Sequence, residues 1–402
     1  MAAAWLFIFG FITLFLVVNA LRPPSPPGSR FPALWLPAII TGELAPTWSG
    51  VSGLVTLALV SADGLRLAMG RLGLAAVALS WLGLVALIAR NLAARRAVEA
   101  ALANHLSPGE RPRWPIWQWV TGWPYRVPSQ LERIDDLPLG PGSHTADVYR
   151  RRGATGPAPA MLFVHGGGWS GGNKRQGSRP MLHHLATAGW VVASCSYPLS
   201  PAATFPEHLV GVKRALAWLR EAGPKYGVDP TQVVIAGGSS GAHLAALAAL
   251  TANRPEYQPG FEDADTSVQA CVAVYGIFDF LNRNHTRDPW PLIPRSVMKA
   301  YPNHAQAAYR AASPIDQVHP GAPPFLVVHG THDSVVPPGE ARFFVEALRS
   351  ASANPVTHLE VPGANHAFDV LHSARSREVA HGVLRFIHHT ARPADITEEE
   401  SS

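Results

Sequence analysis

The sequence predicts an α/β fold, in which a mostly parallel β-sheet is covered by helices on both faces, preceded by an N-terminal transmembrane helical region. From about residue 146 onward, short apolar runs that are typical of buried strands alternate with amphipathic helical patterns. Residues 1–95 contain long uncharged stretches instead. Because 47% of the 402 residues are hydrophobic and only 15% are charged, the chain is apolar for a soluble enzyme, and the excess lies at its N-terminal end.

Seven strands and three helices account for most of the α/β part, which we assign to residues 131–392. The predicted strands are residues 146–150, 161–164, 190–196, 232–236, 268–275, 324–328 and 356–361. The predicted amphipathic helices are residues 206–221, 338–350 and 374–389. This alternation favours a parallel sheet with both faces covered.

Three membrane spans are predicted within residues 1–95, at about 3–21, 44–62 and 72–89. The first and the third contain no charged residue, and each is long enough to cross a hydrocarbon core of about 30 Å as a helix. The middle region is apolar apart from Glu43, and Pro46 indicates a break near its start. We therefore expect a multi-pass protein of the cell membrane.

The first and the third span each have an alternative interpretation. Residues 3–21 could be a cleaved signal peptide, since Val18-Asn19-Ala20 would serve as a small-residue cleavage site, but no positive charge precedes them. Residues 72–89 could be a buried core helix, but no other N-terminal element is predicted to bury it.

The arginines near the spans predict which side the α/β part occupies. Arg90, Arg95 and Arg96 follow the last span directly, and positive residues in short loops favour the cytoplasmic side. With three spans the α/β part lies on the cytoplasmic face together with Arg22 and Arg30, whereas Arg66 and Arg71 lie outside. Without the middle span this assignment reverses.

A linker of residues 96–130, rich in arginine, tryptophan and proline, joins the two parts. Its side chains suit a membrane interface, but an aromatic strap packed on the α/β part is an equally good interpretation. The net charge of +5 favours contact with the anionic lipid bilayer over an acidic substrate. No recognised nucleic-acid motif occurs, so no nucleic-acid partner is predicted, and the sequence indicates no oligomeric state.

Gly237-Gly238-Ser239-Ser240-Gly241 is the most informative motif of the chain. It lies between a predicted buried strand and an alanine-rich helical run. A G-x-S-x-G sequence at a strand-to-helix turn is typical of a nucleophile elbow, in which the glycines allow a sharp turn that exposes the serine hydroxyl. Ser239 is therefore the candidate nucleophile, the alternative being a glycine-rich loop that caps a helix.

A second glycine-rich loop, His165-Gly166-Gly167-Gly168-Trp169, follows the strand at 161–164. Successive glycines allow backbone N–H groups to point at one position, and such donors stabilise the oxyanion of a tetrahedral intermediate. We predict that the N–H groups of Gly167, Gly168 and Ser240 form this oxyanion hole.

An acid and a base follow downstream, in the order nucleophile, acid, histidine. Asp333 comes directly after the strand at 324–328 and is the candidate acid, although an aspartate there can also be a turn residue. His366 follows the last strand and is the candidate general base. His329 and His332 are its rivals, the first expected to pack at the strand end and the second too close to Asp333 to reach Ser239.

These motifs together resemble a known family. Residues His165–Trp169, Ser196–Pro201 and Gly237–Ala242 are similar to the HGGGW, YxLxP and GDSAGG signatures of the hormone-sensitive-lipase branch of the α/β-hydrolases. The resemblance covers about residues 160–390 and implies the α/β-hydrolase fold and carboxylester hydrolysis. Two departures are Gly238, where the family has an acid, and the acid loop HGTHDSVVP at 329–337, which is closer to esterases and peptidases of the wider fold.

The remaining features complete the prediction. Residues 279–312 interrupt the alternation and are predicted to form a lid or a wall of an acyl pocket, the alternative being a solvent-facing excursion. Cys195 and Cys271 are expected to be buried thiols, and no metal or other cofactor is implied. Residues 393–402 are predicted to be an acidic disordered tail. His183, His184, His388 and His389 are assigned to helix surfaces and are expected to be solvated.

The function predicted is that of a membrane-anchored serine carboxylesterase or lipase, with esters of lipid origin among its candidate substrates. An amidase or peptidase on the same fold is an alternative, because the acid loop resembles both. A non-catalytic ligand-binding protein is a third hypothesis, although such proteins typically lack a member of the triad.

Overall fold

The structure is a computed structural model. It describes residues 1–23, 34–104, 106–107, 109, 126–140 and 144–391. The Arg/Trp-rich part of the predicted linker, Arg30 and the predicted acidic tail lie outside the described residues.

The α/β part is built on one eight-stranded sheet. Its strands are β1 (Leu131–Pro138), β2 (Thr145–Arg151), β3 (Ala158–Val164), β4 (Val191–Cys195), β5 (Val228–Gly238), β6 (Cys271–Val274), β7 (Phe325–Gly330) and β8 (Val356–Val361). The strand order is β1-β2-β4-β3-β5-β6-β7-β8, and only the pairs β1–β2 and β2–β4 are antiparallel. The mostly parallel sheet predicted from the sequence is confirmed.

Parallel strands align their carboxyl ends, which brings several loops to one edge of the sheet. The loops after β3, β5, β7 and β8 therefore meet, although up to 200 residues separate them in sequence. Strand β1 was not predicted, because its sequence mixes charged and apolar residues. It is an edge strand with an irregularity between Ile134 and Leu137, and it needs no continuous apolar run.

Helices cover both faces of the sheet and enclose two apolar layers. The α-helices described in this part are α5 (Arg179–Thr187), α6 (Glu207–Glu221), α7 (Ser240–Leu250), α8 (Gln306–Ala311), α9 (Gly339–Ala351) and α10 (Ala374–Thr390). Shorter helical turns occur at Gly223–Tyr226, Pro255–Tyr257, Ile293–Val297, Pro314–Gln317 and Phe368–Val370. Helices α6, α7 and α9 bury one face of the sheet, and α5 and α10 bury the other.

In the described residues before the sheet there are four helices. They are α1 (Ala2–Leu21), α2 (Trp35–Glu43), α3 (Ala45–Ser61) and α4 (Ala68–Leu102). Helices α1 and α4 pack closely, because a Cβ atom at Gly10 would collide with the backbone of Gly73. Helices α1 and α4 are long and apolar enough to cross a membrane, and α2 and α3, bent by 87° at their junction, form a third span if they are taken together.

Helix α4 extends beyond the span predicted for residues 72–89 and beyond the boundary predicted at residue 95. Its last turns leave the apolar region and pack on the α/β part, where Ala94, Val98 and Leu102 join the same buried layer as α5 and α10. Close packing between Val98 and Gly382 of α10 illustrates this contact, since a Cβ atom at Gly382 would lie 2.6 Å from Val98 Cγ1. The same helix therefore packs against both parts.

The expectation that His183 is solvated is wrong. Its side chain is buried, with 3% of the residue exposed, against the rings of Tyr149 and His372. Burial, together with nearby Arg179, lowers the pKa of His183 to about 3, so the imidazole is neutral at pH 7. The sequence pattern placed His183 on a helix, but it did not show that Tyr149 of strand β2 and His372 cover that face of the helix.

Candidate active site

Ser239 lies at a tight turn between β5 and α7. Its φ of +56° is in the left-handed region, which is unfavourable for a residue with a side chain and is the conformation of a nucleophile elbow. The turn has no room for larger residues, since a Cβ atom at Gly237 would collide with the carbonyl of Gly241. The Ser239 N–H donates to the carbonyl of Val274 at 2.9 Å, which fixes the turn against the next strand.

His366 connects Ser239 to Asp333. Its Nε2 lies 2.9 Å from Ser239 Oγ, and its Nδ1 lies 2.8 Å from Asp333 Oδ2. Both His366 and Asp333 are buried, whereas Ser239 is partly exposed. The sheet thus brings together the three residues predicted as nucleophile, base and acid, each from the loop after a parallel strand.

Asp333 is held as a carboxylate by its neighbours. Its Oδ1 accepts the backbone N–H groups of Val335 at 2.9 Å and Val336 at 2.8 Å, and its Oδ2 is 3.3 Å from His329 Nε2. Burial acts to raise the pKa of this carboxyl, but the charge of His366 and the hydrogen bonds of His329 and His366 outweigh it and hold the pKa well below its usual value. A carboxylate of this kind fixes the orientation of an imidazole.

The two rival histidines have other partners. His329 Nε2 lies 2.8 Å from the carbonyl of Val336, within the acid loop. His332 Nδ1 lies 3.0 Å from Thr331 Oγ1, at the far side of the same turn. The ring bonded to Ser239 Oγ belongs to His366.

Tyr275 is a further residue of the site that sequence reasoning missed. Its ring lies 4.7 Å from the His366 ring, and its hydroxyl donates to Asp369 at 2.5 Å. Ser178 donates to the other oxygen of Asp369. The hydroxyl also fills the space beside Gly238, because a Cβ atom there would lie 3.0 Å from it. The sequence feature that could have indicated this contact is Gly238, because the family that this chain resembles has an acid at that position.

The glycine-rich loop after β3 turns beside Ser239. Gly167 and Gly168 have φ values of +131° and +61°, which residues with side chains rarely adopt. Among the described residues, none accepts a hydrogen bond from the N–H of either glycine. Ser240 is the first residue of α7, where an N–H has no intrahelical acceptor. All three predicted donors are therefore available to a ligand.

Side-chain contacts hold the glycine-rich loop of residues 165–169 in place. The His165 ring stacks on Tyr197 at 4.5 Å, and the Tyr197 hydroxyl donates to the His165 carbonyl at 3.1 Å. Trp169 donates through Nε1 to His243 Nδ1 at 3.1 Å, and His243 Nε2 lies 2.7 Å from the Ala312 carbonyl. Burial lowers the pKa of His243 to about 3, so its ring stays neutral and can accept from Trp169.

The segment predicted as a lid, residues 279–312, reaches the glycine loop. A Cβ atom at Gly168 would lie 3.2 Å from Leu292 Cδ2, so Leu292 lines the space next to that glycine. The segment is fixed to the rest of the fold by a buried ion pair between Arg287 and Glu340, 3.2 Å long. Ile293, Val297 and Tyr309 of the segment are buried, whereas Tyr301 is exposed.

The N-terminal helices also contact the site. Trp35 Nε1 of α2 donates to the carbonyl of His366 at 3.1 Å. No sequence pattern indicated this contact between residues 331 positions apart. In the part of the chain that the structure describes, no group of three or more His, Cys, Asp or Glu side chains is arranged to hold a metal ion. Cys195 and Cys271 are buried free thiols.

The sheet order, the elbow after β5 and the triad-like cluster define a protein of the α/β-hydrolase class. Three comparisons agree with this class. The BD-FAE family model matches residues 146–348, half of the chain. The probable carboxylic ester hydrolase LipM of Mycobacterium tuberculosis is 37% identical in an alignment of 397 residues that covers 94% of this chain and 91% of LipM.

The esterase LipQ of the same organism is 45% identical over 260 residues, which cover 63% of this chain and 62% of LipQ. Among solved structures, Thermogutta terrifontis esterase 2 matches 66% of this chain and 94% of its own, with a TM-score of 0.53 at 23% identity, and this likeness shows the fold alone. The chain belongs to the hormone-sensitive-lipase-like family of α/β-hydrolases and is an esterase.

Proposed function

We propose that this esterase hydrolyses carboxylic esters, those of lipids included, through a triad of Ser239, His366 and Asp333, while anchored in the cell membrane. The observation that supports the triad most strongly is the continuous chain of hydrogen bonds from Ser239 Oγ through both ring nitrogens of His366 to Asp333. This is the geometry that a serine nucleophile and its base require.

In the first step, Ser239 Oγ forms a bond to the ester carbonyl carbon while its proton moves to His366 Nε2. The carbonyl π electrons move to the oxygen, which becomes an oxyanion. His366 then protonates the leaving alkoxide as the C–O bond breaks, which leaves an acyl-serine. Water attacks this acyl group in the same way, with His366 again as base, and releases the acid and free Ser239.

The oxyanion hole is proposed to consist of the N–H groups of Gly167, Gly168 and Ser240. This role is supported by the availability of these donors and by the closeness of the loop to Ser239, since a Cβ atom at Gly166 would lie 3.1 Å from Ser239 Cβ. Each such donor contributes about 3 kcal/mol of transition-state stabilisation. Leu292, beside Gly168, makes residues 279–312 our candidate for a wall of the acyl pocket.

Membrane anchoring is supported by the exposed side chains of the N-terminal helices. All but two of the exposed large apolar residues in the described part of the chain precede residue 93, the two being Tyr301 and Phe343. Surfaces of this kind are typical of contact with lipid. The 20 residues of α1 correspond to a length of about 30 Å, which matches a bilayer core.

We further propose three crossings, with the α/β part on the cytoplasmic face. Helices α1 and α4 run in the same direction, because Ala3 lies beside Gly70 and Leu21 lies beside Gly83. The end of α3 lies near the start of α1, because Gly64, which follows α3, is close to Leu6. Helix α3 therefore returns across the same thickness. The arginines at the end nearer the α/β part are Arg22, Arg90, Arg95 and Arg96, against Arg66 and Arg71 at the far end. This excess favours the cytoplasm.

Substitution Ser239→Ala tests the proposed triad. With the full-length protein in detergent, we expect p-nitrophenyl butyrate hydrolysis to fall at least about 10³-fold, because the attacking oxygen is lost. Ser350→Ala, on the exposed face of α9, is the matched control and should retain full activity. A matched amide substrate, measured in parallel, separates esterase from amidase preference. Full activity in Ser239→Ala would refute the triad.

A further inference from the structure

Helix α2 stands between the apolar helices and the loop that carries His366. Its first residue, Trp35, donates through its indole N–H to the His366 carbonyl at 3.1 Å. Its last residue, Glu43, makes a buried ion pair with Arg375 and accepts from Ser373 Oγ at 2.7 Å. Both ends of α2 are thus bonded to the segment that runs from the histidine loop into α10.

The histidine loop needs such support because its backbone is unfavourable. Ala367, directly after His366, has a φ of +59°, in the left-handed region that residues with a Cβ atom avoid. The N–H of His366 is bonded to Asn365 Oδ1 at 2.7 Å, and its carbonyl accepts from Trp35. The peptide groups on both sides of the imidazole are therefore held by hydrogen bonds, one of which comes from α2.

Helix α4 reinforces the same arrangement. Asn91 donates through Nδ2 to the carbonyl of Gly42 at 2.9 Å, which ties the end of α2 to α4. Arg90 packs on the start of the histidine loop, since a Cβ atom at Gly363 would lie 2.8 Å from Arg90 Cδ. The loop thus lies between α2 and α4 on one side and the sheet on the other.

The orientation of α2 connects this contact to the bilayer. It is nearly perpendicular to α3, at 87°, as expected of a helix that lies along a membrane surface. Leu36 and Ile40, one turn apart, are exposed on one side of it, with 52% and 44% of their surface accessible. Helix α2 therefore presents apolar side chains outward while Trp35 contacts the histidine loop.

We propose that Trp35 is a positioning residue for ester hydrolysis, through which the membrane-surface helix α2 holds His366 in line with Ser239. The inference rests on the proposed function, because it requires His366 to be the general base. It assigns the N-terminal region a part in the reaction in addition to anchoring.

Trp35→Phe tests the inference, because phenylalanine retains the aromatic ring but has no N–H to donate. Trp81→Phe is the matched control, since the Trp81 indole donates to Ser52 Oγ at 3.0 Å between α4 and α3, away from the loop. Both variants are prepared as full chains in the same detergent. The amount of reactive Ser239 is titrated with a fluorophosphonate probe, and kcat is expressed per titrated serine so that misfolded protein does not contribute.

We expect Trp35→Phe to lower kcat on p-nitrophenyl butyrate about tenfold with KM within about twofold, because a displaced base slows proton transfer without changing ester binding. Trp81→Phe should leave both constants within about twofold. Glu43→Gln, which weakens the second attachment of α2, should lower kcat in the same direction. Equal kcat values for Trp35→Phe and Trp81→Phe would overturn the inference. Failure of the proposed function is distinct, since Ser239→Ala would then remain active.

Discussion

The α/β part and the N-terminal helices differ in where they put their apolar side chains. In the α/β part nearly every large apolar residue is buried, in two layers on either side of the sheet. In the N-terminal helices the same residue types are exposed, for example Leu54 at 71% and Leu82 at 69%, while small residues such as Gly10 and Gly73 form the contacts between helices. The first pattern suits water as the solvent and the second suits lipid.

Helix α4 contains both patterns. Leu82 and Val85, in its first half, are exposed, whereas Ala94 and Val98, in its second half, are buried on the α/β part. Leu84 and Leu87, close to them in sequence, are buried, so the environment of a residue on this helix depends on the face it occupies as well as on its position along the axis.

The largest expected effect is the loss of ester hydrolysis when a proposed triad residue of the α/β part is changed. If the reaction belongs to the α/β part, Asp333→Asn should lower kcat on p-nitrophenyl butyrate about 10³- to 10⁴-fold, because His366 loses the carboxylate that fixes its tautomer and stabilises its charge. Retention of the protein in the membrane fraction should not change. Asp316→Asn, in an ion-pair cluster with Arg283 and Arg310 on the same part, is the control and should stay active. An Asp333→Asn variant at wild-type rates would contradict the assignment of Asp333.

A pair of substitutions on α4 sharpens the comparison between its two halves. Val98→Asp places an unpaired charge between α4 and α10 and should reduce the free energy of unfolding of the α/β part by about 3 kcal/mol or more. Leu82→Asp exposes its charge to lipid and should leave the thermal inactivation of the esterase unchanged, although membrane retention weakens. Inactivation temperatures in one detergent give the result. Equal temperatures for the two variants would show that the halves do not differ.

The smallest expected effect, counted for each residue concerned, is the response to acid, which should be confined to the chain after residue 104 because all 18 histidines follow that position. Burial lowers the pKa of His165 to about 4 and that of His243 to about 3. Their unfolded forms bind protons near pH 6.5, so the stability they provide is complete above that pH and is lost as the pH falls toward 4.

Between pH 6.5 and 5 the loss is about 2 kcal/mol each for His165 and His243. Urea midpoints followed through esterase activity should therefore fall over this range, while the helical signal of the N-terminal region persists. A constant midpoint from pH 7 to pH 5 would be inconsistent with neutral buried imidazoles.

The sequence predicted the sheet and the residues of the candidate triad because both depend on local patterns. Apolar runs identify the parallel strands, and glycine-rich or turn-forming loops at their carboxyl ends identify Ser239, Asp333 and His366. Strand β1 was missed because an edge strand has no such run. The tertiary contacts of Tyr275 and Trp35 with His366 were missed because they join residues 91 and 331 positions apart, and no local pattern encodes them.

The central claim, that Ser239 is activated by His366, can be tested by covalent labelling. Full-length protein is treated with a fluorophosphonate probe, and the modified peptide is identified by mass spectrometry in wild type, Ser239→Ala and His366→Ala. The account predicts a single phosphonylated residue, Ser239, with labelling lost in Ser239→Ala and slowed at least about 10³-fold in His366→Ala. Labelling of another residue, or undiminished labelling without His366, would contradict it.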